Sequence, residues 1–73
     1  MLTISVVFII KDGSQYISYL YEYFTKVEKL YEHKYNLEYF IFENDSKDDT
    51  VRKLSAFLKN KKGKYWSENL KTN

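Results

Sequence analysis

The sequence predicts an α/β fold, a small parallel sheet laid down in the order strand, helix, strand, helix, strand. Three observations predict it. Residues 3–10 and 36–42 are runs of β-branched and aromatic residues, the side chains that fill strands. After each run the apolar spacing lengthens to three and four residues, which marks a helix. Strands alternating with helices join as parallel neighbours through right-handed crossovers.

The first strand, residues 3–10, has almost no polar interruption and reads as buried on both faces. Lys11-Asp12-Gly13-Ser14 breaks it, with Gly13 supplying the turn. A helix follows over about residues 14–33. Ile17, Leu20, Tyr21, Phe24, Val27 and Tyr31 form its stripe, Tyr16, Tyr19 and Tyr23 widen it, and Ser14 or Asp12 is placed to cap its start.

The second strand, residues 36–42, puts Leu37, Tyr39 and Ile41 on one face and Phe40 and Phe42 on the other. It ends at Glu43. The second helix is expected to begin after Ser46, with Ser46 and Asp49 as a capping box and Asp48 and Asp49 against the helix dipole. Val51, Leu54, Phe57 and Leu58 are its buried stripe. Lys59, Lys61 and Lys62 suit its end and Gly63 its stop. Residues 64–68 offer a third short strand around Tyr65 and Trp66, and the tail from Leu70 to Asn73 carries no signal.

If the third strand lies beside the second, both helices fall on one face. The other face is apolar and has no cover. The expectation is therefore a fragment of a larger domain, or a chain that associates through that face with a second copy of itself. The 73 residues have room for one domain at most, here read as 1–73, and so small a core usually needs a staple or a partner.

The chain has no cysteine, which removes disulfides and Cys-based metal sites and fits a reducing compartment. The N-terminal run lacks a basic segment and a small-residue cleavage site and is too short to span a bilayer. A cytoplasmic protein is expected. The net charge of +2 is too small to imply nucleic acid. The lysines at 59, 61, 62 and 64 read as a solvated helix end beside one buried Trp66. Asp45, Lys47 and Asp49 begin like a calcium loop, but Thr50 and Ala56 stand where that loop needs Gly and Glu. His33, the one histidine, reads as a surface group near a helix end.

Parallel sheets present ligands beyond the carboxyl ends of their strands. Two segments leave those ends: Lys11-Asp12-Gly13, and Glu43-Asn44-Asp45-Ser46. Their carboxylates suit ribose hydroxyls or a base N–H, and Lys11 suits a phosphate. Ordinary helix capping explains Ser46, Asp48 and Asp49 without any ligand.

Glu43-Asn44-Asp45-Ser46-Lys47-Asp48-Asp49-Thr50 resembles the acidic-x-x-Ser-x-Asp-x-Thr turn of glycosyltransferases with the GT-A fold, in the form seen in capsule-associated mannosyltransferase-like members. The resemblance covers roughly residues 3–60. It implies the N-terminal part of a three-layer-type, Rossmann-like domain that binds a nucleotide sugar. It places Glu43, Asn44 and Asp45 against the nucleoside, with Ile10, Lys11 and Asp12 lining the same pocket. Ser46, Asp48 and Thr50 would shape the turn.

The family also uses a later Asp-x-Asp motif for a divalent metal such as Mn or Mg, and inverting members a later carboxylate as base. After Asp49 this sequence has no Asp, and Glu68 is its one later acid. The resemblance therefore implies the nucleoside half of a site, with no catalytic residue, no metal ligand and no cofactor in this chain. Its partners would be a nucleotide sugar, bound weakly, and the remainder of such a domain.

Overall fold

A computed structural model describes residues 1–68; the tail signal sought at 70–73 lies outside the described residues. Five elements follow in order: β1 (Leu2–Ile10), α1 (Ser14–Leu30), β2 (Tyr35–Asn44), α2 (Thr50–Lys59) and β3 (Gly63–Glu68). The sheet is parallel throughout, in the order β1-β2-β3. Val7 pairs with Phe40 and Phe40 with Lys64; Ile9 pairs with Phe42 and Phe42 with Trp66.

The core lies on one face. Ile17, Tyr39, Ile41, Leu54 and Phe57 are buried there, flanked by Val6, Phe8, Leu20, Tyr21 and Phe24. Each such side chain contributes about 1.5–3 kcal/mol by leaving water. Both helices share this layer, since α1 and α2 residues meet in the same cluster. The rings of Phe24 and Phe57 meet Tyr39 edge-on, the arrangement the aromatic quadrupole prefers. The described residues thus form two layers; a third, as in the three-layer type expected, has no counterpart among them.

Several expectations are corrected. β1 is an edge strand with one bare face, so Val7 and Ile9 are 60% and 66% exposed; its apolar run does not signify burial on both sides. Tyr16, Tyr19 and Tyr23 are exposed because α1 buries only the narrower stripe through Ile17, Leu20, Tyr21 and Phe24. α1 stops at Leu30, before a turn at 31–34. Gly63 does not stop a helix: α2 ends at Lys59, and Gly63 opens β3 at φ 144°, where a side chain would strike the Tyr39 backbone.

Lys61 also departs from the solvated lysine cluster expected of it. Its ammonium is buried, donating to Thr25 Oγ1 at 2.9 Å and Glu28 Oε1 at 3.1 Å. It also lies 4.4 Å over the Tyr21 ring. The Tyr39 hydroxyl donates to the other oxygen of Glu28. Burial, then the neighbouring carboxylate, pushes the Tyr39 phenol well above its ordinary range. Nothing in the spacing of Glu28, Tyr39 and Lys61 announces this cluster; it exists only once two helix ends converge on β2.

Candidate functional site

The two segments that leave the carboxyl ends of β1 and β2 meet, because the strands are neighbours in parallel register, with Ile10 beside Glu43. They are tied together at every step. Lys11 Nζ donates to the carbonyls of Asn44 and Asp45, at 3.0 and 3.4 Å. The Asp12 amide donates to Ser46 Oγ at 2.8 Å, and Asp12 Oδ1 accepts from the Lys47 amide at 2.6 Å. The Gly13 amide donates to Thr50 Oγ1 at 3.0 Å. Asp12 and Asp45 both adopt φ 48°, a left-handed conformation that Asp tolerates better than most residues.

Asp48 organises two helix starts. Its Oδ1 accepts from the Thr50 amide at 2.9 Å and from the Thr50 hydroxyl, while Oδ2 accepts from the Ser14 amide at 3.2 Å. One carboxylate thus meets the first-turn amides of both α1 and α2, where the helix dipoles favour negative charge. The Thr50 hydroxyl and these amides hold its pKa below the usual carboxylate range. This replaces the expected capping box. Neither helix has a side-chain bond from its own N-cap residue, α2 begins at Thr50, and Ser46 serves Asp12 instead of a helix.

Glu43 is buried at 1% exposure. Its carboxylate accepts from the Ser46 amide and from the Ser67 hydroxyl of β3. Burial would push its pKa up, but the hydrogen bonds from Ser46 and Ser67 outweigh that and hold it below the usual range. Glu43 therefore shapes the turn from inside. Asn44 is buried as well, at 4%. The face open to a ligand is formed by Lys11, Asp12 and Asp45. Asp45 is 44% exposed and pairs with Lys47 at 3.2 Å, and Ile10 lies half-buried behind them. Ser67 was not singled out by sequence; its alternation with Tyr65 on β3 puts it on the same face as Glu43 once the register is known.

The rim holds five carboxylates within one turn and its neighbour, yet among the described residues no three acidic, His or Cys groups converge to hold a metal. The donor set does not fit the divalent ion of GT-A enzymes, since Glu43 and Asp48 are already engaged by amide and hydroxyl donors and Asp49 pairs with Arg52. The His33 side chain is 93% exposed and lies in the turn before the amino end of β2, the opposite end of that strand from the rim, beside Glu32. Two clefts lie away from the rim: about 360 Å³ between Ile17, Tyr21, Lys53 and Phe57, and about 620 Å³ near Glu28, Asn36 and Lys61. Among the described residues no helix is long and apolar enough to cross a membrane. No protein-family model, curated protein or solved structure matches the chain.

Proposed function

We propose that the chain binds a nucleotide or nucleotide sugar at the carboxyl rim of β1 and β2, as the nucleoside half of a glycosyltransferase-type site, and does not transfer sugar by itself. The observation that supports this reading is the latch between the two rim segments. It fixes Lys11, Asp12 and Asp45 side by side before any ligand arrives, and preorganisation of that kind lowers the cost of binding. Asp45 and Asp12 would accept from the ribose or base, and Lys11 would face the phosphates. Titration with UDP and with GDP, followed by amide chemical shifts, tests it. Shifts centred on residues 10–13 and 44–47 that weaken in Asp45→Ala support the reading; no shift with either nucleotide at millimolar concentration overturns it.

One observation favours a second reading, a non-enzymatic module that associates through its bare sheet face. Trp66 stacks on Phe42 at 4.8 Å between ring centroids, beside exposed Val7 and Ile9, which leaves an apolar surface of the kind that marks association. Trp66→Lys should abolish a dimer of this type and leave nucleotide shifts intact.

A further inference from the structure

The two edges of the sheet are built differently. β3 is six residues long and carries Lys64 and Glu68, the short and charged form that resists pairing with another strand. β1 is nine residues long, with no charge, no proline and no glycine. Its outer side meets no strand among the described residues. An extended uncharged edge presents a row of backbone donors and acceptors as a template.

The helix layer beside this edge is apolar too. Tyr23 lines a groove with Ile4 and Val6, so its stripe of α1 overlooks β1. Tyr16 and Tyr19 precede it at helical spacing on that stripe. The three are 56%, 72% and 62% exposed.

We infer that this side of the molecule pairs with a second copy of the chain, β1 against β1 in antiparallel fashion, with the α1 tyrosines packed together beside the joined strands. The inference is independent of nucleotide binding and uses the sheet's edge, not its bare face.

Self-pairing follows from symmetry. A two-fold axis perpendicular to the sheet, running between the two β1 strands beside Val6, sets Ile4 opposite Phe8 and Ser5 opposite Val7 of the other copy. Opposed residues then lie on the same face in both copies. Helix layer meets helix layer, and the three-stranded sheet becomes one of twice the width. Such an isologous contact needs no complementary charge, and β1 has none to oppose itself. A single strand edge alone would bury too little. Three tyrosines more than half exposed add roughly 100 Å² each, and the β1 aliphatics carry the surface toward the about 800 Å² per partner of a standard interface. A foreign strand could use the backbone template, but it would leave these tyrosines in water unless it brought an apolar helix at the same offset, which a second copy does by construction.

Sedimentation equilibrium of the full chain tests this, with four variants. The parent chain should show a reversible dimer. Tyr16→Glu/Tyr19→Glu, which alters exposed positions alone, should weaken it at least about tenfold by setting like charges against each other. The chain has no natural cysteine, so Ser5→Cys/Val7→Cys, whose two positions face each other across the axis, should give a covalent dimer under mild oxidation, while Lys64→Cys on the opposite edge should not. Circular dichroism confirms that each variant is folded. A parent chain that stays monomeric at millimolar concentration overturns the proposal. So does a dimer that survives the double glutamate variant, or cross-linking through Lys64→Cys in place of Ser5→Cys/Val7→Cys; loss of the dimer in Trp66→Lys with Tyr16→Glu/Tyr19→Glu unaffected would assign it to the bare face instead.

Discussion

Glu43 and Ser67 stand opposite each other across β2 and β3, and the Ser67 hydroxyl donates to the buried Glu43 carboxylate. The same carboxylate accepts from the Ser46 amide. The acidic turn is thereby fastened to the far strand of the sheet as well as to β1, and its most acidic-looking residue is a structural acceptor.

This separates two substitutions that sequence would treat alike. Glu43→Ala leaves the Ser46 amide and the Ser67 hydroxyl without their acceptor in a part-buried place, and should cost about 1–2 kcal/mol of stability. Asp45→Ala removes a half-exposed group and should leave stability within about 0.5 kcal/mol while weakening nucleotide binding. Urea unfolding paired with UDP titration distinguishes them. Equal destabilisation by the two would show that Glu43 is not holding the turn.

Acid should unfold the chain through these carboxylates. Glu43 and Asp48 both have folded pKa values below their ordinary ones. A depressed pKa means that the unfolded state takes up protons first. The stability they contribute is complete above about pH 5, then is lost as the pH falls through about 4, the ordinary carboxylate range, and on through the depressed values. Urea midpoints measured from pH 7 to 3 should fall accordingly, and Glu43→Gln should flatten part of the slope. An unchanged slope would assign the acid sensitivity to other groups.

The buried Lys61 offers a test of pairing. Lys61→Met leaves Glu28 with the Tyr39 hydroxyl but no cation, and should cost roughly 3 kcal/mol. Glu28→Gln/Lys61→Met removes both charges together, keeps an acceptor for the Tyr39 hydroxyl, and should be the more stable of the two variants, because a buried pair owes most of its worth to the penalty of breaking it. Thermal melts decide this by their order. A double variant less stable than the single one would show that the ion pair itself contributes net stability.

The order of elements was legible because runs of β-branched and aromatic residues alternate with stretches of helical spacing along the chain. The faces of β2 were legible too: Tyr39 and Ile41 are buried and Phe40 and Phe42 meet Trp66 on the other side, as alternation requires. Burial of β1 was legible only in part: its composition reads as buried on both faces, while helices on one side leave the other face bare, where Val7 and Ile9 lie. An apolar strand has the same composition whether its neighbours lie in the same sheet or are absent, and only the strand order shows that β1 is an edge. The turn chemistry was half legible. Sequence placed capping residues near α2, but their true partners, Asp12 with Ser46 and Ser14 with Asp48, lie more than thirty positions apart, and local pattern carries no such information. The Glu28–Lys61 pair escaped for the same reason.

Gly63 and Gly13 should differ sharply when changed to alanine. A Cβ at Gly63 would lie 2.0 Å from the Tyr39 carbonyl oxygen and 2.7 Å from its nitrogen. Both are backbone atoms, and the Tyr39 amide is already bonded to the Lys62 carbonyl at 2.8 Å. The residue also sits at φ 144°, which a side chain opposes. Gly63→Ala must therefore shift β3 against β2 and should cost about 3 kcal/mol or more. At Gly13 the close atoms, at 2.4 and 2.5 Å, belong to the Ile10 side chain, and φ is −102°. A change of Ile10 rotamer relieves the contact for about 1 kcal/mol. Because β3 brings Ser67 to Glu43, the Gly63 variant should also loosen the acidic turn, seen as faster hydrogen exchange at the Ser46 amide; protection there equal to the parent's would show that the turn is held from β1 alone.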